Sequence, residues 1–301
     1  MLKFVNKNLT QLILLFLVLG LTFGKFLDFT NLKPLIIPLL ILMIFPMMIN
    51  LKFGEILKIK KNEIWTVIFI LVVNFIIVPF FAYGISFFLN DINVITGLIL
   101  ISAIPAGGMT AAWVGISKGD MKMALVLIAV NLLAAIIFAP LIIFYTLKNV
   151  VAIDLWLITK QVMLVVVIPL IFGQIAQKIL LKKKYDLKEL KPTFQGISGV
   201  SVLLMVFLAM GLKAKIITLS VFAKIVIPLL IFYTLLFSAA YVMGMLRECN
   251  SPVFFSISMR NLTIALALAA SYFDPLTIIP IALAYPIQVP MGSYFAKKMK
   301  F

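Results

Sequence analysis

The chain has 301 residues, 64% of them hydrophobic and 12% charged, with a mean hydropathy of +1.22 and a formal net charge of +16. That much apolar surface excludes a soluble domain, and the continuous apolar runs disfavour the alternating pattern of a membrane β-barrel. Its lysines sit in short loops and at the termini, which points to a lipid bilayer rather than nucleic acid as the partner of the positive charge.

Taken in order, the apolar runs predict an all-α polytopic membrane protein with ten transmembrane helices. The spans are 10–27, 33–50, 64–89, 93–116, 121–147, 155–179, 193–211, 217–245, 251–272 and 275–296. The first resembles a signal peptide in its charge and apolarity. It lacks a clean small-residue cleavage site and is read as a span. The N-terminus, even-numbered loops and C-terminus together carry eighteen of the 26 Lys and Arg. The opposite side carries seven, and Arg260 lies within a span. This bias places both termini in the cytoplasm and the chain in the cell membrane.

Ten spans divide into residues 1–150 and 151–301, five spans each. Leu21, Phe23 and Gly24 match Leu170, Phe172 and Gly173. Met43, Phe45 and Met48 match Met205, Phe207 and Met210. Met109 and Thr110, followed by Asp120, match Leu262 and Thr263, followed by Asp274. An odd number of spans in each half makes the expected duplication an inverted repeat, with the substrate site near mid-membrane where the halves meet.

All ten carboxylates fall at span ends or in loops, so no acid is expected at mid-membrane. With no histidine and one cysteine, Cys249, the chain has no internal disulfide and no predicted metal site or cofactor. The same shortage argues against an intramembrane enzyme, which needs a nucleophile with a base, or a metal.

The mid-membrane outlier is Arg260, in "FFSISMRNLTIALALA". Two readings fit it: a packing arginine satisfied by broken-helix carbonyls, or a charge that serves an anionic substrate or the structure itself. Ser256, Ser258, Asn261 and Thr263 surround it, either as site residues or as interhelical hydrogen-bonders. In span 4, Pro105, Gly107 and Gly108 predict a helix break, and Thr110 adds a hydroxyl beside it. The break is either a tolerated kink or the wall of a binding site. Asn74 and Asn131 are further intramembrane polar residues, Asn131 being placed to close a site near Thr110 or to bond between helices. Trp65, Trp156 and Tyr294 read as interface anchors.

"ILMIFPMMINLKFGEI", "NFIIVPFFAY", "IPAGGMTAAWVGISKGD" and "SMRNLTIALALA" resemble the bile acid:sodium symporter family and its arsenite-permease relatives, over nearly the whole chain. The resemblance implies a core domain with crossed, discontinuous helices 4 and 9, a panel domain that rocks against it, and alternating access. Arg260 and the span 4 break point such a transporter toward a small-molecule anion as substrate, with Arg260, Asn261, Gly107, Gly108 and Thr110 lining its site. The resemblance also implies sodium as a coupling ion, for which Thr110, Asn131, Ser256, Ser258 and Thr263 are the available ligands.

The carry-over departs from the family at three places. The asparagine of the sodium pattern is replaced by Ala111. The helix 9 acid and glutamine align with Ser256 and Arg260, which sets a fixed positive charge where a cation is expected. The arsenite branch shares Trp113, Lys118, Gly119 and Asp120, but its reactive cysteine aligns near Ala106. Arsenite or antimonite efflux is the alternative transport reading, and a receptor or scaffold without flux the alternative of another class. The oligomeric state is left open.

Overall fold

The computed structural model describes residues 5, 8–49, 51, 54, 59–215, 219–245 and 250–298, which form helices and connecting turns without a strand among them. Span 1 is α1 (Leu9–Phe26), and span 2 is a 3-10 turn running into α2 (Ile36–Ile49). Span 3 comprises α3 (Lys61–Val72), a π turn at Val73–Ile77, and α4 (Val78–Ser86). Span 4 is interrupted, as α5 (Ile92–Ala103) and α6 (Gly108–Ile116), and span 5 is α7 (Met121–Leu147). Span 6 comprises α8 (Leu155–Val162), a second π turn at Met163–Val167, and α9 (Ile168–Lys182). Spans 7 and 8 are α10 (Leu187–Lys213) and α11 (Leu219–Met245). Span 9 is interrupted too, as α12 (Asn250–Ser258) and α13 (Leu262–Tyr272), and span 10 ends the fold as α14 (Ile278–Lys298).

Among the described residues, nine helical segments are long and apolar enough to cross a membrane. Joining α5 to α6 across a 64° bend makes the tenth. Cys249 and the basic residues Lys3, Lys7, Lys52, Lys58, Arg247 and Lys300 lie outside the described residues.

The loop carboxylates have a local role. Asp91 Oδ1 accepts from the N–H groups of Asn93 and Val94 at the start of α5, and Asp120 Oδ1 from those of Lys122 and Met123 at the start of α7. Asp154 caps α8 through Leu157, and Asp274 caps the turn before α14 through Leu276. Each fills an N-terminal position where a carboxylate meets orphan N–H groups and the positive end of the helix dipole. Asp120→Ala is accordingly expected to cost about 1 kcal/mol, read as a lower melting temperature.

The helices pack in two groups. In the first, α10 lies against α1 and α2, and α9 against α2. The approach is close: a Cβ on Gly24 would sit 2.3 Å from the Gly211 carbonyl oxygen, and one on Gly173 would sit 2.6 Å from Met48 Cβ. Gln174 Nε2 reinforces this group by donating to the Met48 carbonyl at 3.0 Å.

In the second group, span 9 is the central strut, with 89% of its apolar window buried against 22% for spans 1 and 6. Around it pack α3, α5 to α7, α11 and α14, and α2 and α8 also reach it. A Cβ on Gly97 of α5 would lie 2.3 Å from Pro280 Cγ of α14. Lipid takes the place of protein on the outside, where Trp65, Trp156 and Tyr294 are exposed, as interface anchors require.

Candidate functional site

Spans 4 and 9 are both broken near their middles, and the breaks touch. Span 4 loses helical form over Ile104–Gly107, because Pro105 has no N–H and clashes with the carbonyl four residues earlier. Span 9 does so at Met259–Asn261. The Asn261 N–H donates to the Ile104 carbonyl at 3.4 Å, joining one break to the other. Gly107 is extended (φ −124°, ψ −168°), a conformation open to any residue. Its missing side chain is explained by approach instead: a Cβ there would lie 2.8 Å from Asn261 Cγ. Asn261 in turn caps α13, its Oδ1 accepting from Ile264 N–H at 3.3 Å.

A second contact ties the same spans beyond the break. The Ser117 and Ser251 hydroxyls are hydrogen-bonded, and a Cβ on Gly119 would lie 2.6 Å from Ser251 Cβ. Lys118, with φ 57°, ends α6 in the left-handed region, where Gly119 N–H reaches the Val114 carbonyl at 2.9 Å and Lys118 N–H the Gly115 carbonyl at 3.3 Å. The Lys-Gly-Asp pattern is therefore a helix stop, a close-packing point and a helix start in succession.

Arg260 sits in the span 9 break, 3% exposed, and is the one buried charge among the described residues. Its Nε donates to the Ile101 carbonyl at 3.3 Å, its Nη1 to Asn74 Oδ1 at 2.8 Å, and its Nη2 to the Ser102 carbonyl. Ile101 and Ser102 belong to the last turn of α5, whose terminal carbonyls lack intrahelical donors and carry the negative end of the dipole. The Arg260 main chain is held by Gln288 of α14: its N–H donates to Gln288 Oε1 at 2.8 Å, and its carbonyl accepts from Gln288 Nε2 at 3.1 Å. Tyr233 of α11 donates to the same Gln288 oxygen at 3.0 Å.

The structure draws four of the polar residues singled out from the sequence, Arg260, Asn74, Asn131 and Ser256, into one buried hydrogen-bonded chain, while Thr110, Ser258, Asn261 and Thr263 bond elsewhere. Asn74 Nδ2 donates to Asn131 Oδ1 at 2.9 Å and to the Ser256 carbonyl at 3.1 Å, which turns the Asn74 oxygen toward Arg260. Asn131 Nδ2 reaches the Leu127 carbonyl at 2.7 Å and Ser256 Oγ at 3.4 Å. Thr110 Oγ1 donates to the Phe255 carbonyl at 3.4 Å. Ser258 turns back to its own helix, donating to the Phe254 carbonyl at 2.8 Å. Thr263 pairs instead with Tyr285 of α14 at 3.1 Å.

Gln288, Tyr233 and Tyr285 are partners that reading the sequence missed. Each sits in a largely apolar run, and only the neighbour it meets gives it significance. Gly108 and Thr263 are half-buried at the crossing, and the nearest atom to a Cβ on Gly108 would be Met47 Cγ of α2, at 3.9 Å.

Apolar spans wrapped around two crossed, interrupted helices are the build of a secondary transporter. The chain belongs to the Sodium Bile acid symporter family, whose model matches residues 37–220. It is 23% identical to the uncharacterized sodium-dependent transporter YocS of Bacillus subtilis, over 96% of this chain and 90% of that protein. It is 25% identical to the arsenical-resistance protein Acr3 of Alkaliphilus metalliredigens, over 71% of this chain and 67% of that one. The probable sodium/metabolite cotransporter BASS1 of Arabidopsis thaliana, a chloroplastic protein, matches at 24% over 73% of this chain and 55% of its own length. The family is one of symporters, and YocS and BASS1 are named as a transporter and a cotransporter.

Proposed function

We propose that this protein moves a small organic anion across the cytoplasmic membrane by alternating access, with both termini in the cytoplasm. The observation that carries the reading is electrostatic. The buried charge at the crossing is positive, no described carboxylate accompanies it, and the N-terminal ends of α6 and α13 meet beside it. First-turn N–H groups and the positive dipole ends favour a negative guest. Gly107, Gly108, Thr110 and Asn261 line that place, with Arg260 supplying positive potential from behind. Residues 1–150 and 151–301 act as inverted repeats whose fourth spans supply the two breaks. Spans 1, 2, 6 and 7 form the panel that rocks against the remaining core.

Similarity to an arsenical-resistance protein favours metalloid efflux as a second reading. Against it, the position where a thiol is expected is Ala106, which is buried at the break. The shared Lys-Gly-Asp pattern is accounted for as a turn, so it supports a common fold rather than a common substrate.

Proteoliposomes containing the purified protein are expected to take up at least one organic anion from a panel of carboxylates and sulfonates. Arsenite flux with no organic-anion flux would favour the second reading. Saturable binding without flux of any panel member would favour a receptor or scaffold.

A further inference from the structure

The family name implies sodium, so the crossing must be asked whether it has room for one. Its oxygens are the right kind. Ile101 and Ser102 offer carbonyls from the C-terminal end of a half-helix, and Asn74 offers an amide oxygen from the neighbouring span. Neutral carbonyl oxygens at the end of an interrupted helix are the ligands by which transporters hold hard monovalent cations. Asn74 is locked with that oxygen inward, because its amide nitrogen is engaged by Asn131 and Ser256.

The cage already has a cation in it. Each of the three guanidinium nitrogens donates to one of these oxygens, and Gln288 pins the Arg260 main chain so that the side chain starts from a fixed point. A metal ion in the same cage would lack free lone pairs facing it and would meet a like charge at contact distance. Sodium does not fit here while Arg260 is in place.

We infer that Arg260 is a tethered cation, occupying an oxygen cage built for a monovalent metal ion and making sodium unnecessary at this place in the cycle. The inference deepens the anion-transporter reading, because it states how the positive charge at the crossing is supplied: by the chain rather than from solution. Removing the guanidinium re-creates the vacancy. Arg260→Ala leaves three oxygens converging on a space that a sodium ion with a water or two can fill. Arg260→Lys keeps a tethered charge and keeps the cage closed.

The test is thermal unfolding of the purified full-length protein in NaCl against N-methylglucamine chloride at equal ionic strength. Wild type and Arg260→Lys are expected to melt at the same temperature in both salts. Arg260→Ala is expected to melt lower than wild type in N-methylglucamine chloride and to recover by a few degrees as sodium is added, as for any ligand that binds only the folded state. Adding Asn74→Ala to it should remove the recovery. A folded Arg260→Ala that ignores sodium overturns the inference.

So does a wild-type protein that sodium stabilises, provided Asn74→Ala abolishes the effect. The wild-type comparison stands even if the alanine variant fails to fold. Because the readout is sodium binding and not flux, the inference can fail while the anion reading stands, and the reverse.

Discussion

Replacing Gly107 with alanine is expected to abolish transport and to lower stability by about 2–4 kcal/mol. The added methyl group would lie 2.8 Å from both Cγ and Nδ2 of Asn261. Neither neighbour can yield cheaply. Asn261 is tied to the Ile104 carbonyl through its N–H and caps α13 through its side chain. The spans must either separate or drop the cap, and both changes open the crossing at which the proposed substrate sits.

The second substitution tells these apart. Asn261→Gly alone costs little as a cap exchange, a few tenths of a kcal/mol, and it removes the atoms that the new methyl group strikes. The double variant is therefore expected to be more stable than Gly107→Ala alone, a positive coupling readable in a double-mutant cycle. Equal stability of Gly107→Ala and its double variant would mean that the two residues do not oppose each other.

Gln288→Leu is the other large effect expected, at roughly 2–5 kcal/mol. The glutamine is fully buried and serves two donors with one oxygen, the Arg260 N–H and the Tyr233 hydroxyl. Leucine fills the volume but leaves both donors unpaired in an apolar interior. The Arg260 carbonyl suffers less, because it also accepts from Leu262 N–H at 3.0 Å. Tyr233→Phe should cost less in the Gln288→Leu background than in wild type, since the hydroxyl has by then lost its acceptor. Denaturation of all four proteins in the same detergent measures this directly.

Hydropathy made the spans legible, because a bilayer demands about 20 apolar residues in a row wherever the chain crosses. The span 4 break was legible from Pro105, Gly107 and Gly108, and the buried charge from its cost. What hydropathy hides is where helices stop inside polar or slender stretches. Span 7 was expected from residue 193, yet α10 begins at Leu187, since its first turns carry lysines that helix geometry tolerates and lipid does not.

The π turns at Val73–Ile77 and Met163–Val167 also went unread, although Pro79 and Pro169 follow them closely. A proline clashes with the carbonyl four residues earlier, here Phe75 and Val165, and widening the turn relieves the clash. The partners of Arg260 were the least legible. Asn74, Ser102 and Gln288 are separated from it by 186, 158 and 28 residues, and no local pattern connects them.

The glycines also constrain how the molecule moves. Gly24 and Gly173 let main chains approach closely within the group of spans 1, 2, 6 and 7, while Gly97 admits the Pro280 ring and Gly107 the Asn261 side chain among spans 4, 9 and 10. Contacts that close leave little slack within either group. Where the groups face one another at the crossing, the nearest atom to a Cβ on Gly108 would be Met47 Cγ, at ordinary van der Waals distance. Methionine slides over a bare backbone with little resistance. Under the proposed rocking, that pair lies on the surface along which the two groups shear, next to the crossing where the substrate is proposed to sit.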